Sequence, residues 1–233
     1  VLGVGTNRMN VYVVAQATQG VADYLNAHYE NPTIALARDS RLKGEDFQRV
    51  AASVLAANGV RVYVYPRIEP VPTLSFAVRH LGTSAGIVLT ASHNPAKYNG
   101  YKVYNDNGGQ ITDEAAAEIS ANIAKVSPFD VKTMDFDEGL EQGLIEWTPE
   151  EVLDSFIQSI KKVSVPGFKA SPDYSVVYTP LNGTGMECVT RILKEIGVEN
   201  VTVVPEQAEP DGNFPTCNYP NPEFREALEL GLK

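Results

Sequence analysis

Ser92 and His93 are neighbours in the run Thr90-Ala91-Ser92-His93-Asn94-Pro95, directly behind the apolar segment Gly86–Leu89, and Lys102 follows shortly after. A hydroxyl, an imidazole and an ammonium in one neighbourhood can supply a nucleophile or phosphoryl carrier, handle protons and stabilise negative charge. Pro95 keeps the run from winding into a helix. In open α/β sheets ligands bind beyond the carboxyl ends of the strands, where this loop would lie. All four residues of Ser-His-Asn-Pro also favour turns, so the spacing alone leaves a plain polar turn as an equal reading. A Ser-His-Asp hydrolase is disfavoured. Adjacent side chains are not expected to face each other, and Gly-x-Ser-x-Gly is absent.

The elements around the loop follow from periodicity. Asn10 to Tyr29 places Val11, Val14, Ala15, Thr18, Val21, Ala22 and Leu25 on one helical face. Thr33–Ala37 reads as a buried strand, Gly44 to Asn58 as a helix closed by Gly59, and Val60–Tyr65 as a β-branched strand. A short helix runs to Leu81 and Gly82, and Ala85–Leu89 is the third strand. Strands alternating with helices pair in parallel. Gly100–Tyr104 follows the third strand after a loop too short for a crossover, so it is expected to be an antiparallel neighbour, with Asn99-Gly100 as a tight turn and Lys102 pointing back over Ser92. Thr112 is expected to cap one helix, and Thr148-Pro149-Glu150-Glu151 to start another as cap, N1 proline and capping-box glutamate.

The stretch 163–175 is rich in Pro, Gly and Ser and is read as a domain boundary. The pattern then restarts as strand Val176–Tyr178, the turn Leu181–Gly185, a helix to Ile196 and strand Val201–Val204. The expected fold is α/β: a mixed, mostly parallel sheet sandwiched by helices over 1–165, plus part of a second similar α/β domain over 166–233.

The chain has 233 residues, 43% hydrophobic and 21% charged, which suits a globular fold and excludes a disordered tail, a coiled coil or a collagen-like fibre. Its net charge of −10 without a basic run argues against nucleic acid as a partner. Two cysteines, Cys188 and Cys217, make neither a disulfide framework nor a zinc site. No signal peptide and no apolar run near the ~20 residues of a membrane helix appear, so no membrane partner and a cytoplasmic location are expected. The chain opens at Val1 rather than Met and closes at Lys233 within a helical pattern, so a piece of a longer protein is expected.

The run from Thr90 to Tyr104, TASHNPAKYNGYKVY, closely resembles the active-site serine loop of the α-D-phosphohexomutases, the phosphoglucomutase/phosphomannomutase family. Gly5-Thr6-Asn7-Arg8-Met9-Asn10 with Thr18-Gln19-Gly20 is similar to the first helix entry of the branch with phosphoglucomutases and phosphopentomutase-like enzymes. Ala37–Arg41 resembles a strand-end motif of the family, and Tyr178–Gly185 the opening of its second domain. Pro210–Pro215 with Pro220–Glu223 resembles the segment ahead of the family's metal loop. The likeness covers essentially the whole chain.

That resemblance implies an intramolecular phosphotransferase, an isomerase of carbohydrate metabolism. A phosphoserine, here Ser92, passes its phosphate to a hexose monophosphate and takes the other phosphate back from a bisphosphorylated sugar. Glucose is the favoured sugar, with phosphomannomutase, phosphopentomutase or a non-catalytic sugar-phosphate-binding module as alternatives. It implies Mg²⁺ on an oxygen of the Ser92 phosphate and on three aspartates of an Asp-x-Asp-x-Asp-type loop, and glucose 1,6-bisphosphate as activator. Phosphoryl transfer is mostly positioning and charge neutralisation, and Mg²⁺ favours phosphate and carboxylate oxygens. Lys102 matches the lysine proposed for acid/base work, and His93 belongs to the serine loop. The acidic triplet, the sugar-specificity loop and the phosphate-binding loop do not occur in these residues, so the chain alone is expected to be unable to complete the cycle.

The remaining residues carry less. Arg8, before the first helix, is a candidate to reach substrate or serine phosphate, although a solvated arginine is the favoured reading. Arg38 and Arg41 flank Asp39 after a strand, so a local ion pair is expected in preference to a ligand contact. Asn182-Gly183-Thr184-Gly185 opens a helix, where anions can sit, yet it lacks a P-loop lysine and reads as a plain turn. His28 and His80 are expected at the surface near helix ends, Trp147 beside Thr148, and Asp135–Glu141 as a solvated loop.

Overall fold

The computed structural model describes residues 2–4, 8–165, 167 and 170–233. Gly5-Thr6-Asn7 of the first motif, and Pro166, Phe168 and Lys169 of the Pro/Gly/Ser-rich stretch, lie outside the described residues. The chain divides into two compact units. One comprises 1–39, 43–91 and 97–148, and the other 40–42, 92–96 and 149–233.

The first unit is built on a six-stranded sheet of β1 (Leu2–Val4), β2 (Thr33–Arg38), β3 (Arg61–Val64), β4 (Ala85–Leu89), β5 (Tyr98–Asn105) and β6 (Ile145–Trp147), in the order β1-β5-β4-β2-β3-β6. β2 runs parallel to β3 and β4, and β6 parallel to β3. β5 is antiparallel to both β4 and β1. The sheet is therefore mixed and mostly parallel, as the alternating pattern and the short β4–β5 loop require.

Helices α1 (Val11–His28), α2 (Gly44–Ala57), α3 (Val71–Leu81), α4 (Asp113–Ile123) and α5 (Phe136–Glu141) cover it. Asn10 caps α1, its side chain accepting from Val13 N at 2.9 Å. Gly59 (φ 80°) and Gly82 (φ 65°) take the left-handed turns that end α2 and α3, where a Cβ is penalised. One core joins Val14, Val21 and Leu25 of α1, Phe47 and Leu55 of α2 and Ile119 of α4 to Ile34, Leu36, Ala85, Ile87 and Leu89 of the sheet. Successive strand residues alternate faces, so Gly86 looks the other way. There a Cβ would meet Val78 Cγ2 of α3 at 2.6 Å, which is why a glycine lets α3 lie close. Helices thus cover both faces.

The second unit holds a two-stranded parallel sheet, β7 (Ser175–Tyr178) and β8 (Asn200–Val203), and the helices α6 (Glu150–Lys161), α7 (Met186–Glu195), α8 (Pro205–Ala208) and α9 (Arg225–Leu228). β7, α7 and β8 form the expected βαβ repeat. Leu153 and Ile157 of α6 pack with Cys188 and Ile192 of α7.

Three local expectations are corrected. Asn99 and Gly100 do not turn; they lie inside β5, opposite Gly3 and Leu2 of β1, a short strand whose partner holds both extended. Thr148 is not the cap of α6. Its backbone N–H continues the sheet to Val64 O at 2.9 Å, Pro149 occupies the cap position, and the buried Thr148 Oγ1 has no hydrogen-bond partner among the described residues. Asp135–Glu141 is not a solvated loop but α5, capped by Asp135 Oδ1 accepting from Asp137 N (2.9 Å) and Glu138 N (3.0 Å). Acidic residues in a first turn suit a helix N-terminus, and burial of Phe136 under the Arg49 guanidinium, 4.1 Å from its ring, fixes the helix in place. Trp147 packs on that Phe136 ring at 5.7 Å.

Candidate functional site

All five residues of β4 are buried, so the polar chain that leaves it must find partners at once. Thr90 N donates to Gly100 O at 3.0 Å, and the Thr90 hydroxyl donates to Asp39 Oδ2 at 2.5 Å. Asp39 stands at the end of β2, the parallel neighbour of β4, and its N–H bonds Leu89 O at 3.1 Å. Two adjacent strand ends are thereby tied together.

Ser92 then turns with φ 56°, in the left-handed region. That conformation costs a non-glycine residue about 1–2 kcal/mol, so surrounding structure has to hold it. Ser92 and His93 are both exposed. Contrary to the expectation for adjacent side chains, Ser92 Oγ lies 3.3 Å from His93 Nδ1, because the left-handed turn brings the two onto one side of the loop. The pair can share a proton between hydroxyl and imidazole, with the direction set by the histidine tautomer.

The loop is held by Arg41, which is only 3% exposed. One terminal nitrogen donates to Pro95 O at 3.0 Å, the other to Ser92 O at 3.1 Å and to Asn94 O. The guanidinium carbon lies 5.2 Å from the centre of the Phe214 ring. The sequence suggested an ion pair or a ligand contact for Arg41, and not a hold on the loop backbone. The signal that could have found it is position: it follows a parallel strand on the same carboxyl edge as the serine loop. Arg38 is engaged elsewhere, through Gln48 Oε1 at 3.2 Å and Glu45 at 3.3 Å.

Lys102 sits half-buried on β5, opposite Val88 of β4. Its neighbour Tyr101 is buried with its hydroxyl 3.0 Å from Thr18 Oγ1, so alternation places Lys102 on the other face of the sheet. Burial pushes the Tyr101 phenol above the usual tyrosine range, against the lowering effect of the Thr18 bond. Arg8 is exposed two residues ahead of the α1 cap.

Leu181 (φ 51°) and Asn182 (φ 55°) are both left-handed in the turn after β7. The buried Asn182 holds that turn, its amide donating to Glu209 O at 2.8 Å and Glu206 O at 3.3 Å. His28 ends α1 beside Glu118 at 2.9 Å, and His80 ends α3 stacked on Phe76.

Among the described residues no three His, Cys, Asp or Glu side chains come together as a metal site. The described residues therefore do not by themselves make a complete Mg²⁺ site. Among the described residues no helix is long and apolar enough to cross a membrane.

Residues 2–129 match the family described as phosphoglucomutase/phosphomannomutase, alpha/beta/alpha domain I, and residues 154–233 match its alpha/beta/alpha domain II. The phosphoglucomutase of Staphylococcus saprophyticus is 39% identical over 98% of this chain and 41% of its own length. The probable phosphomannomutase of Haemophilus influenzae is 36% identical over 97% of this chain and 45% of its own. The crystal structure of a putative phosphomannomutase from Thermus thermophilus superposes with a TM-score of 0.81 at 25% identity, over 99% of this chain and 49% of that one. The chain thus spans less than half the length of these relatives.

Proposed function

Because the chain belongs to the phosphoglucomutase/phosphomannomutase family, we propose that it is the phosphoserine-bearing part of a sugar-phosphate mutase, an isomerase that interconverts hexose 1- and 6-phosphates. The observation that carries this reading is the exposed, strained Ser92 beside His93 on a loop fixed by a buried arginine. A serine that only filled a turn would not need its backbone held in a costly conformation.

In the proposed cycle the phosphorus of phospho-Ser92 bonds to a sugar hydroxyl oxygen as its bond to Ser92 Oγ breaks. The hydroxyl proton passes to a base, and the released Ser92 oxygen becomes the acceptor for the second phosphate of the bisphosphorylated sugar. His93, at 3.3 Å, is placed to exchange a proton with the free serine. Lys102 is assigned acid/base and charge-stabilising work, and Arg8 contact with substrate phosphate. The residues here would supply one Mg²⁺ ligand, the Ser92 phosphate; no step above is routed through the ion. Glucose is the favoured hexose, mannose the alternative that the name of the Haemophilus influenzae relative suggests. A cytoplasmic location and glucose 1,6-bisphosphate as activator are part of the same proposal, as is the inability of these 233 residues to turn over alone.

The test is intact mass and peptide mapping of the full-length gene product after incubation with glucose 1,6-bisphosphate. One added phosphoryl group on Ser92 is expected, lost in Ser92→Ala. Interconversion of glucose phosphates that persists in Ser92→Ala overturns the reading, and so does turnover by the purified 233-residue chain for the claim of inactivity.

A further inference from the structure

We propose that Arg41 is the positioning residue of the serine loop, setting the backbone of Ser92 rather than touching substrate. The inference rests on the phosphoserine reading above and deepens it. The guanidinium spends its two terminal nitrogens on carbonyls of Ser92, Asn94 and Pro95, so it faces the backbone of the loop and not its open side. At 3% exposure it offers almost no surface to a sugar phosphate. Those bonds span the residue whose φ of 56° is costly, and a planar fork of fixed donors is pre-organised to hold several carbonyls at once.

Arg41 is itself held from beneath. Phe214 (φ 47°, buried) presents its ring 5.2 Å from the guanidinium carbon. Gly212 lies so close under residues 40–42 that a Cβ there would meet Leu42 N at 2.6 Å and Ser40 O at 2.7 Å. The turn Asp211–Phe214 is braced by Asn213 N and Nδ2 bonding Asp211 Oδ1 at 2.8 and 2.9 Å. The segment Pro210–Pro215, noted in the sequence only as a motif, thus forms the floor on which Arg41 and then the serine loop are stacked. A carbonyl clamp of this kind stabilises one loop backbone in the absence of substrate, so it acts on the rate of transfer rather than on sugar binding.

Two measurements decide it. In the 233-residue chain, the amide–Hα coupling of Ser92 and the exchange protection of the loop amides are read by NMR for Arg41→Met, Arg41→Lys and Phe214→Leu. Release of the left-handed Ser92 geometry is expected in Arg41→Met, with smaller shifts at the same amides in the other two. Unchanged Ser92 coupling and protection in Arg41→Met overturn the clamp. If that variant fails to fold, Phe214→Leu decides alone: it must shift the Ser92–Pro95 amides, and leaving them unmoved overturns the clamp. In the full-length gene product, Arg41→Met is expected to lower kcat on the order of a hundredfold with KM unchanged, and Arg41→Lys to recover part of it. A rise in KM with kcat intact would make Arg41 a binding residue and overturn the positioning role. A full-length protein without mutase turnover, beside a loop released in Arg41→Met, would remove the phosphoserine reading and leave the clamp standing.

Discussion

The hydroxyls of Thr18 and Tyr101 meet at 3.0 Å inside the layer between α1 and β5, one residue before Lys102 on the strand. Thr18 also donates to Val14 O at 2.7 Å, so the pair is satisfied without water. Burial holds the Tyr101 phenol neutral and pushes its pKa above the usual 10.0; burial likewise pushes Tyr178 in β7 up to about 12. The folded state favours the protonated phenols, so their contribution to stability is whole below about pH 10 and declines as pH rises from there towards the folded values. Alkaline unfolding followed by circular dichroism should set in above about pH 10, and Tyr101→Phe should blunt the dependence. A pH-independent stability between about 10 and 12 would contradict it.

Asp39 and Thr90 join the ends of β2 and β4. Asp39→Ala leaves the buried Thr90 hydroxyl without that acceptor, at a cost of about 1–3 kcal/mol, whereas Thr90→Val in the Asp39→Ala background should recover part of it. Chemical denaturation of the two variants measures this directly. Equal losses in both would mean that the hydrogen bond is not the cause.

Gly20 of α1 lies where a Cβ would meet Ile123 N at 2.9 Å and Ile119 O at 3.1 Å of α4. Gln16 reinforces the contact by donating to Val126 O at 2.6 Å beyond the end of α4. Gly20→Ala is expected to push the helices apart and cost about 1–3 kcal/mol, although alanine is the better helix former. A stabilised Gly20→Ala protein, by thermal melt, would show that α4 yields freely.

Glu195 on α7 accepts from Lys161 of α6 at 3.0 Å and from Arg191 at 3.1 Å, and these bonds hold its carboxyl below the usual 4.5. The lowered value means that its contribution is present above the ordinary glutamate range and is lost as pH falls through the folded pKa. The group is solvent-accessible, so salt screens it. Glu195→Gln should remove part of the acid sensitivity of the second unit at low salt and little at high salt.

Gln207 is fully buried and accepts from Thr179 Oγ1 at 2.7 Å while donating to Thr216 Oγ1 at 2.9 Å. Gln207→Leu removes the acceptor of the Thr179 hydroxyl and the donor to Thr216 Oγ1 and is expected to cost about 1–3 kcal/mol. The loss should appear as lowered amide protection around Asn182, whose N–H bonds Gln207 O at 2.8 Å.

The fold was legible where one face of an element carried the signal. α1, α2, β2, β4 and the βαβ repeat of the second unit follow from apolar periodicity and from glycines at helix ends, and the antiparallel turn of β5 from loop length alone. What escaped were elements defined by partners. β1 and β6 are three residues each and exist because β5 and β3 pair with them. α5 needs a buried Phe136 that no window of acidic residues announces. Thr148 offered an ideal cap by composition, yet the sheet claimed its backbone. At the candidate site, residue types singled out Ser92 and His93 but not their mutual approach, which depends on a positive φ at a serine. Arg41 was visible only as charge, because its meaning lies in carbonyls some fifty positions along the chain.

Residues 40–42 and 92–96 group with 149–233, although in sequence each follows shortly after a strand of the first unit. A polypeptide ending at Thr148 would keep every strand of that sheet and still carry Ser92 and Arg41, but it would be without Phe214 and Gly212. The serine loop is therefore not inherited with the layer that delivers it. Grafting it onto another scaffold, or exchanging first units between relatives, must carry the Pro210–Pro215 turn as well, for the smallest transplantable piece is discontinuous in sequence.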